Sequence, residues 1–516
     1  MNQLPKGLSY VNGRLNFSDF PVSGIAEAHG TPTYVYSETV LDDCLAQFPL
    51  NRPGVSVCYA VKANNNLSIL EHLRKNGAFF EVASSEELRR VSTATNQEVL
   101  RNCVATGPAK SVNFLKDCLS NNVFSIHAES EEELERIEIL RQKFPESSTK
   151  VALRINFDTS GEAGRSSLPT GASSDKFGVA PAEALRLAER FHIEGLHYHV
   201  GSCVLDEEVL YEARDHALDL VEEFESKGLN IAYVDVGGSF GIPYVETQAP
   251  LNIPLVIDRI ATPFLNKDIH VFIEPGRSVI AQSGILVTRV EYIKSTPLKN
   301  FALVDAGMND LVRPALYGSF HRILTEFEPP INPEKKSTEM TIADSPVSPT
   351  SDRVLRASES FRLAENSKPV PSPRLSRRVD SMPPDLRGSR ESFDDLLNEL
   401  QGNRLFKRTY APVPSPRTVR RSSLEGPVKY DIVGPVCESA DSLGLSRTLP
   451  RLRMADLLII TDVGAYGYSM ASNYNSRNKP AQVMILSNGG VKLISRRQML
   501  EDQLMLERNL DSFAHS

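Results

Sequence analysis

At 516 residues the chain is long enough for two or more domains, each with its own core. Its hydrophobic fraction of 41% and charged fraction of 24% are those of an ordinary soluble globular protein, and no apolar run reaches the roughly 18 residues that a membrane span needs. The net charge of -8 excludes the global basic field that draws proteins to nucleic acid, which leaves a small molecule as the expected partner.

The opening stretch MNQLPKGLSYVNGRLNF has neither the charged start and apolar run of a secretory signal nor the Arg- and Ser-rich character of a transit peptide, so a cytoplasmic location is expected. Eight short β-branched runs then alternate with longer stretches of helical period. They are VSVCYAVK from Val55, FFEVAS from Phe79, EVLRNCVA from Glu98, VFSIHA from Val123, KVALRIN from Lys150, EGLHYHVG from Glu194, IAYVDVGG from Ile231 and VFIEPGR from Val271. LSILEHLRKNG, SSEELRRVSTA, SEEELERIEILRQKF and EEVLYEARDHALDLVEEFESKG read as the helices between them, several closing on Lys or Arg and then Gly. The alternation suits a doubly wound open sheet as well as a (β/α)8 barrel; the count of eight favours a TIM-like barrel over residues 31–284.

Beyond Gly284 the pattern turns β-like without long helices, in GILVTRVEYIKS, NFALVDAG, ADLLIITDVGAYG and AQVMILSNGGVKLIS. A mostly β C-terminal domain is expected from residues 285–325 and 428–516 together with 1–30. Residues 326–427 are rich in Ser, Pro and Arg with few aromatics, a composition that cannot bury enough apolar surface to offset ordering entropy, so a disordered insert is expected there. Within it Phe393, Leu396, Leu397 and Leu400 share one helical face, either a transient helix or a docking helix. Ser345, Ser348, Ser372, Ser415 and the Arg420–Ser423 stretch place serines beside proline or arginine, the setting of kinase substrates. The six cysteines, Cys44, Cys58, Cys103, Cys118, Cys203 and Cys437, are scattered without a CxxC pair, as in a reducing compartment.

A barrel of this type carries its active site at the C-terminal ends of its strands. Lys62, Glu81, Arg154, His199, Ser202, the Gly237-Gly238-Ser239 turn, Glu274 and Arg277 all fall there. Alone, Lys62 reads as a snorkelling or ion-paired lysine; beside a dry barrel mouth its pKa would fall and its amine could attack an aldehyde. A single Gly-rich turn can serve only a sharp reversal of the chain, but two in register with strands seven and eight point to a phosphate site. A phosphate facing a nucleophilic lysine implies pyridoxal phosphate, whose ring nitrogen needs an acidic partner, and Glu274 is placed for it. His199 either lies against that ring or is a buried histidine bonded to backbone. No metal site is expected.

These residues carry a resemblance. YAVKAN, HYHVGS, DVGGSFG, EPGRSVIAQSG, LVDAGMNDLVRPALYGSFH, VGPVCESADSL and DVGAYGYSMASNYNSRNKPAQVM are similar to the pyridoxal-phosphate decarboxylases of the alanine racemase-like barrel class, and the RPALYG and GPVCESAD blocks to the branch acting on diaminopimelate. The resemblance implies decarboxylation of meso-diaminopimelate to L-lysine and carbon dioxide, with Lys62 holding pyridoxal 5'-phosphate. It implies cofactor binding by His199, Ser202, Gly237, Gly238, Ser239, Glu274, Gly276, Arg277 and Tyr466. It assigns the distal substrate carboxylate to Arg277, Arg313 and Tyr317, the distal ammonium to Glu438, and further substrate contact to Tyr466. Cys437 is implied as the proton donor that reaches in from the partner subunit of a homodimer with shared active sites.

Two departures stand out. The phosphate turn reads Gly-Gly-Ser where the family has three glycines, so Ser239 must adopt a conformation that glycine takes more easily, its hydroxyl being free to bond the phosphate. The insert interrupts two parts of the expected site, between His321 and the Val433–Asp441 block. It is expected to loop outward, because closing a loop of that length costs only about a few kcal/mol.

Overall fold

The computed structural model describes residues 4–157, 176–329 and 426–507. The expected disorder, docking helix and serine motifs of the insert lie outside the described residues.

Eight parallel strands close into a barrel: Val55–Ala60, Phe79–Val82, Val104–Ala105, Ser125–Ala128, Lys150–Ile155, Gly195–Tyr198, Tyr233–Asp235 and His270–Ile273. Each pairs with the next in sequence, and the ring closes where Val271, Phe272 and Ile273 face Val55, Ser56 and Val57. An open sheet would leave those two edges unpaired, so the closure decides between the two folds that the alternation allowed. Nearly every residue of the first strand is buried, as expected where one face packs the barrel interior and the other the surrounding helices.

The helices begin where the sequence supplies caps. Ser84, Ser111 and Ser130 each accept the backbone N–H three residues on, from Glu87, Phe114 and Glu133. Each such cap is worth about 1 kcal/mol. In the long helix Glu207–Ser226, Val209, Leu210, Ala213, Ala217, Leu220, Val221 and Phe224 recur at three- and four-residue spacing and are all buried against the barrel.

The third run departs from expectation. EVLRN is a 3-10 helix, Gln97–Asn102, and only Val104–Ala105 is strand. Asn96 accepts the Val99 N–H and starts the turn, while Val99 and Leu100 still reach the core. An apolar run alone does not distinguish these outcomes.

The second layer is a nine-stranded sheet centred on Gly284–Ser295, which pairs antiparallel with Asn300–Val304, Leu457–Ile460 and Thr33–Ser37. Thr33–Ser37 also runs parallel to Ala481–Ile485. The segment expected to form the barrel from residue 31 thus opens with a strand that belongs to the sheet, because both edges of that strand are paired with C-terminal strands. The first residues join the same layer: Leu15 donates its N–H to the Glu326 carbonyl at 2.7 Å.

Barrel and sheet meet just beyond the first barrel strand. Asn64 Nδ2 donates to the Gly464 carbonyl at 3.1 Å, and the Tyr466 N–H donates to the Ala63 carbonyl at 2.8 Å. These bonds bring Tyr466 beside Lys62, 404 residues earlier by sequence number. Among the described residues no helix is long and apolar enough to cross a membrane.

Candidate active site at the barrel mouth

Lys62 lies in a single 3-10 turn, Val61–Ala63, immediately after the first strand. Its Nζ donates to Glu81 Oε2 at 2.8 Å. Glu81 has no exposed surface and also accepts from Thr106 Oγ1, whereas the Lys62 side chain keeps 47% of its surface because it points into the open mouth. Desolvation works against the Lys62 charge, but the Glu81 and Glu274 carboxylates outweigh it and hold the ammonium pKa above the ordinary lysine value. The expected lowering of this pKa is thus overturned for the protein by itself, since opposite charges dominate burial here.

The turns after strands seven and eight form the candidate phosphate cradle. The Glu274 N–H donates to the Gly237 carbonyl at 2.8 Å, and the Ala60 N–H donates to the Pro275 carbonyl at 3.1 Å, so both turns are tied to each other and to the Lys62 strand. A Cβ on Gly237 would lie 2.7 Å from His199 Nδ1, and one on Gly238 would lie 2.4 Å from the Glu274 carbonyl, so only glycine permits this approach. Ser239 adopts φ +63°, the left-handed conformation expected of it. Its hydroxyl is 3.3 Å from His199 Nδ1, so the residue that replaces glycine here steadies the histidine.

His199 Nδ1 also accepts from the Gly238 N–H at 3.3 Å, which leaves the imidazole proton on Nε2. Burial, reinforced by the positive charges of Arg154 and Lys62, holds its pKa well below the ordinary histidine value, so the ring is neutral.

Behind the cradle, Glu274 is buried, with Oε1 lacking a partner among the described residues and Oε2 standing 3.5 Å from His197 Nε2. Burial pushes the neighbouring Asp235 well above the carboxylate range, with the adjacent Glu274 carboxylate adding to it, so Asp235 carries a proton. His197 stacks on His127 at 4.6 Å between ring centroids. Ligand atoms of His127, His197 and Glu274 lie within 4.8 Å of one another, a spacing compatible with a metal ion. The adjoining cradle fits the phosphate cofactor instead. Arg277 Nε, Ser278 Oγ and Glu274 Oε1 are buried without partners among the described residues, and they supply donors for a phosphate and an anion for a ring nitrogen.

The distal side is built on two buried guanidiniums. Arg277 donates from Nη2 to Ser202 Oγ at 2.8 Å and from Nη1 to the Tyr244 hydroxyl at 2.8 Å, and its guanidinium lies 5.0 Å from the centre of the Tyr466 ring. Arg313 donates from Nη1 to the same Tyr244 hydroxyl at 3.1 Å and to His321 Nε2 at 3.0 Å. His321 Nδ1 must carry a proton, since it faces the Thr461 carbonyl at 2.9 Å, and that leaves Nε2 as the acceptor. Burial, then the Arg313 charge, keep His321 neutral. Neither guanidinium pairs with a carboxylate among the described residues.

Tyr317 closes the short helix Arg313–Tyr317 and is 41% exposed. Cys437 and Glu438 are also exposed, on the loop between two sheet strands. The Cys437 N–H donates to Asn475 Oδ1 at 2.7 Å, and Glu438 receives the Tyr474 hydroxyl at 3.5 Å. Within one chain, these contacts do not tie Cys437 or Glu438 to the Lys62 cluster. Sequence reading placed His321 at the edge of the site without a role, and missed Tyr244, Ser278, Asp235 and His197 as parts of it. Ser278 and Asp235 adjoin the Gly-rich motifs and were within reach, whereas Tyr244 follows its motif in a loop with no chemical signature of its own. A separate hollow of about 290 Å³ opens at the opposite end of the strands, lined by residues that include Ser56, Phe79, Lys150, Tyr233 and His270, and it contains none of the predicted site residues.

Comparison with known proteins agrees with this arrangement. Residues 41–281 match the pyridoxal binding domain of pyridoxal-dependent decarboxylases, and residues 392–464 match the C-terminal sheet domain of the same enzymes. The chain is 30% identical to the diaminopimelate decarboxylase of Neisseria meningitidis serogroup A, over 94% of this chain and 97% of the relative. It is 31% identical to that of Pseudomonas aeruginosa, over 92% and 93%. Among solved structures, diaminopimelate decarboxylase from Helicobacter pylori complexed with L-lysine superposes with a TM-score of 0.69 at 27% identity, covering 94% of this chain and 98% of that one.

Proposed function

The chain belongs to the pyridoxal-dependent decarboxylase family, and we propose that within it the protein converts meso-2,6-diaminopimelate to L-lysine and carbon dioxide, the last step of lysine biosynthesis. The observation that carries the substrate is the pair of buried guanidiniums, Arg277 and Arg313, without a carboxylate partner among the described residues. Uncompensated buried charge of this kind calls for an anionic ligand, and a second amino-acid head supplies a carboxylate that planar guanidiniums can grip. A diamine or a shorter amino acid would leave those charges unpaired, which is a large discrimination.

Lys62 Nζ would hold pyridoxal phosphate, which would supply an electron sink for the decarboxylation. Ser202, Gly237, Gly238, Ser239, Gly276 and Arg277 would hold its phosphate, while His199 and Tyr466 would flank the ring. Glu274 would pair with the ring nitrogen, its Oε1 being buried without a partner among the described residues. Arg277, Arg313 and Tyr317 bind the distal carboxylate and Glu438 the distal ammonium. Cys437 of the partner subunit returns a proton to the carbon that lost carbon dioxide, which makes the working unit a homodimer with two shared sites. The exposure of Cys437, whose hydrogen bond among the described residues goes to Asn475 and not to the Lys62 cluster, supports that division.

The protein acts in the cytoplasm, and kinases modify the insert at Ser345, Ser348, Ser372, Ser415 or the Arg420–Ser423 stretch. Phosphopeptide mass spectrometry of protein from its native host tests the latter, and unmodified serines across growth conditions would remove it. The catalytic test is incubation with pyridoxal phosphate and meso-diaminopimelate, alongside ornithine, arginine and lysine. Stoichiometric L-lysine and carbon dioxide, abolished by Lys62→Ala, are expected. Preference for ornithine, or no product from any of them, would overturn the reading.

A further inference from the structure

Two buried cations converge on one phenolic oxygen. The Tyr244 hydroxyl accepts from Arg277 Nη1 at 2.8 Å and Arg313 Nη1 at 3.1 Å, and the guanidinium carbons stand 5.9 and 5.2 Å from the centre of its ring. Both arginines have about 5% or less of their surface exposed. Their mutual repulsion would drive such forks apart unless an acceptor sat between them.

The ring is held from both sides. Gln248 Oε1 accepts the Tyr244 and Val245 N–H groups at 2.8 and 3.2 Å, which pins the loop that follows strand seven. His321 packs edge-on against the ring at 5.4 Å between centroids and also accepts from Arg313. Thus Tyr244 and His321 fix the Arg313 fork together, while Tyr244 and Ser202 fix the Arg277 fork.

We infer that Tyr244 is a positioning and specificity residue of the distal-carboxylate pocket, an inference that rests on the substrate reading above. A phenol has two lone pairs and one proton. The two arginines occupy the lone pairs, and the O–H proton has no acceptor among the described residues. A carboxylate that reaches both forks is the natural acceptor of that proton. Tyr244 therefore sets the separation of the two guanidiniums and adds a third donor, one that a ligand without a distal carboxylate cannot use.

The test uses the holoenzyme and its Tyr244→Phe variant, which keeps the ring and removes the hydroxyl. The KM for meso-diaminopimelate rises about tenfold with kcat within about twofold, as expected for one hydrogen bond to a charged group. Titration calorimetry gives the same fold loss for L-lysine, which retains the head that is not decarboxylated, and none for 1,5-diaminopentane, which has no carboxylate. Unchanged KM and lysine affinity in a variant of an active wild type would remove this inference alone. An equal loss for 1,5-diaminopentane would show a general structural effect and also remove it. A wild type that forms no lysine would remove the substrate reading and this inference with it.

Discussion

Lys62 Nζ lies 2.8 Å from Glu81 Oε2, an ion pair in which the carboxylate is wholly buried and the lysine remains half open to the barrel mouth. The Lys62 amine is thereby kept charged by its neighbour on the next strand, although its position alone suggests a neutral nucleophile.

Replacing Glu81 by Gln should lower the Lys62 pKa. The folded value is raised above the ordinary one, so the pair's contribution to stability is fully present at neutral pH and is lost only as pH rises through that raised value. Without the carboxylate, more free amine exists at any given pH. Stopped-flow uptake of pyridoxal phosphate by the cofactor-free protein should show its pH profile displaced downward in E81Q; a profile that stays in place would contradict the electrostatic account.

At Ser239 two effects oppose each other. Glycine relieves the left-handed strain of φ +63°, while alanine keeps the strain and loses the hydroxyl beside His199. Ser239→Ala should therefore cost about 1 kcal/mol in urea unfolding, and Ser239→Gly should cost less or stabilise. Equal losses in both variants would show that the backbone strain has no weight.

Asp310 sits in the loop that leads to Arg313 and is 1% exposed. Burial pushes its pKa up from 3.8 to about 7, against the opposing Gly307 N–H bond. The protonated form is favoured in the fold, so stability is greatest below the unfolded value and falls as pH rises through about 7. The loss is of order a few kcal/mol. Asp310→Asn should flatten this decline in unfolding curves taken across that range. Glu87, raised to about 7, and Asp462, raised to about 6, act in the same direction, so part of the slope should remain.

The proposed sharing of active sites between subunits makes a complementation experiment decisive. Lys62→Ala and Cys437→Ala proteins should each have little activity alone. Mixed under conditions of subunit exchange, they should recover about a quarter of wild-type activity, because half the dimers are hybrids and each hybrid holds one intact site. No recovery, with exchange verified by mass, would place Cys437 outside the partner's site.

Much of this protein was legible along the chain. Eight strands alternate with capped helices at local periods, and the residues ending those strands, from Lys62 to Arg277, lie in short motifs whose glycines and charges signal a phosphate cradle without any knowledge of distant contacts. The turn at Ser239 was also readable, because φ preference is a property of a single residue.

Other features depended on closure. Strand count could not by itself choose a barrel over an open sheet; the pairing of Val271 with Val55 did so. Thr33–Ser37 reads like any short strand, and only its pairing with Ile285 and Ala481 neighbours assigns it to the sheet. The direction of the Lys62 pKa turned on a carboxylate 19 residues away, and the Arg277 and Arg313 forks meet on a tyrosine 33 and 69 residues earlier. Periodicity and residue type determine local conformation and the chemistry available at each strand end. Which charges face one another, and therefore what the site prefers to bind, is decided by through-space contacts that fall off within a few ångströms and have no signature in sequence spacing.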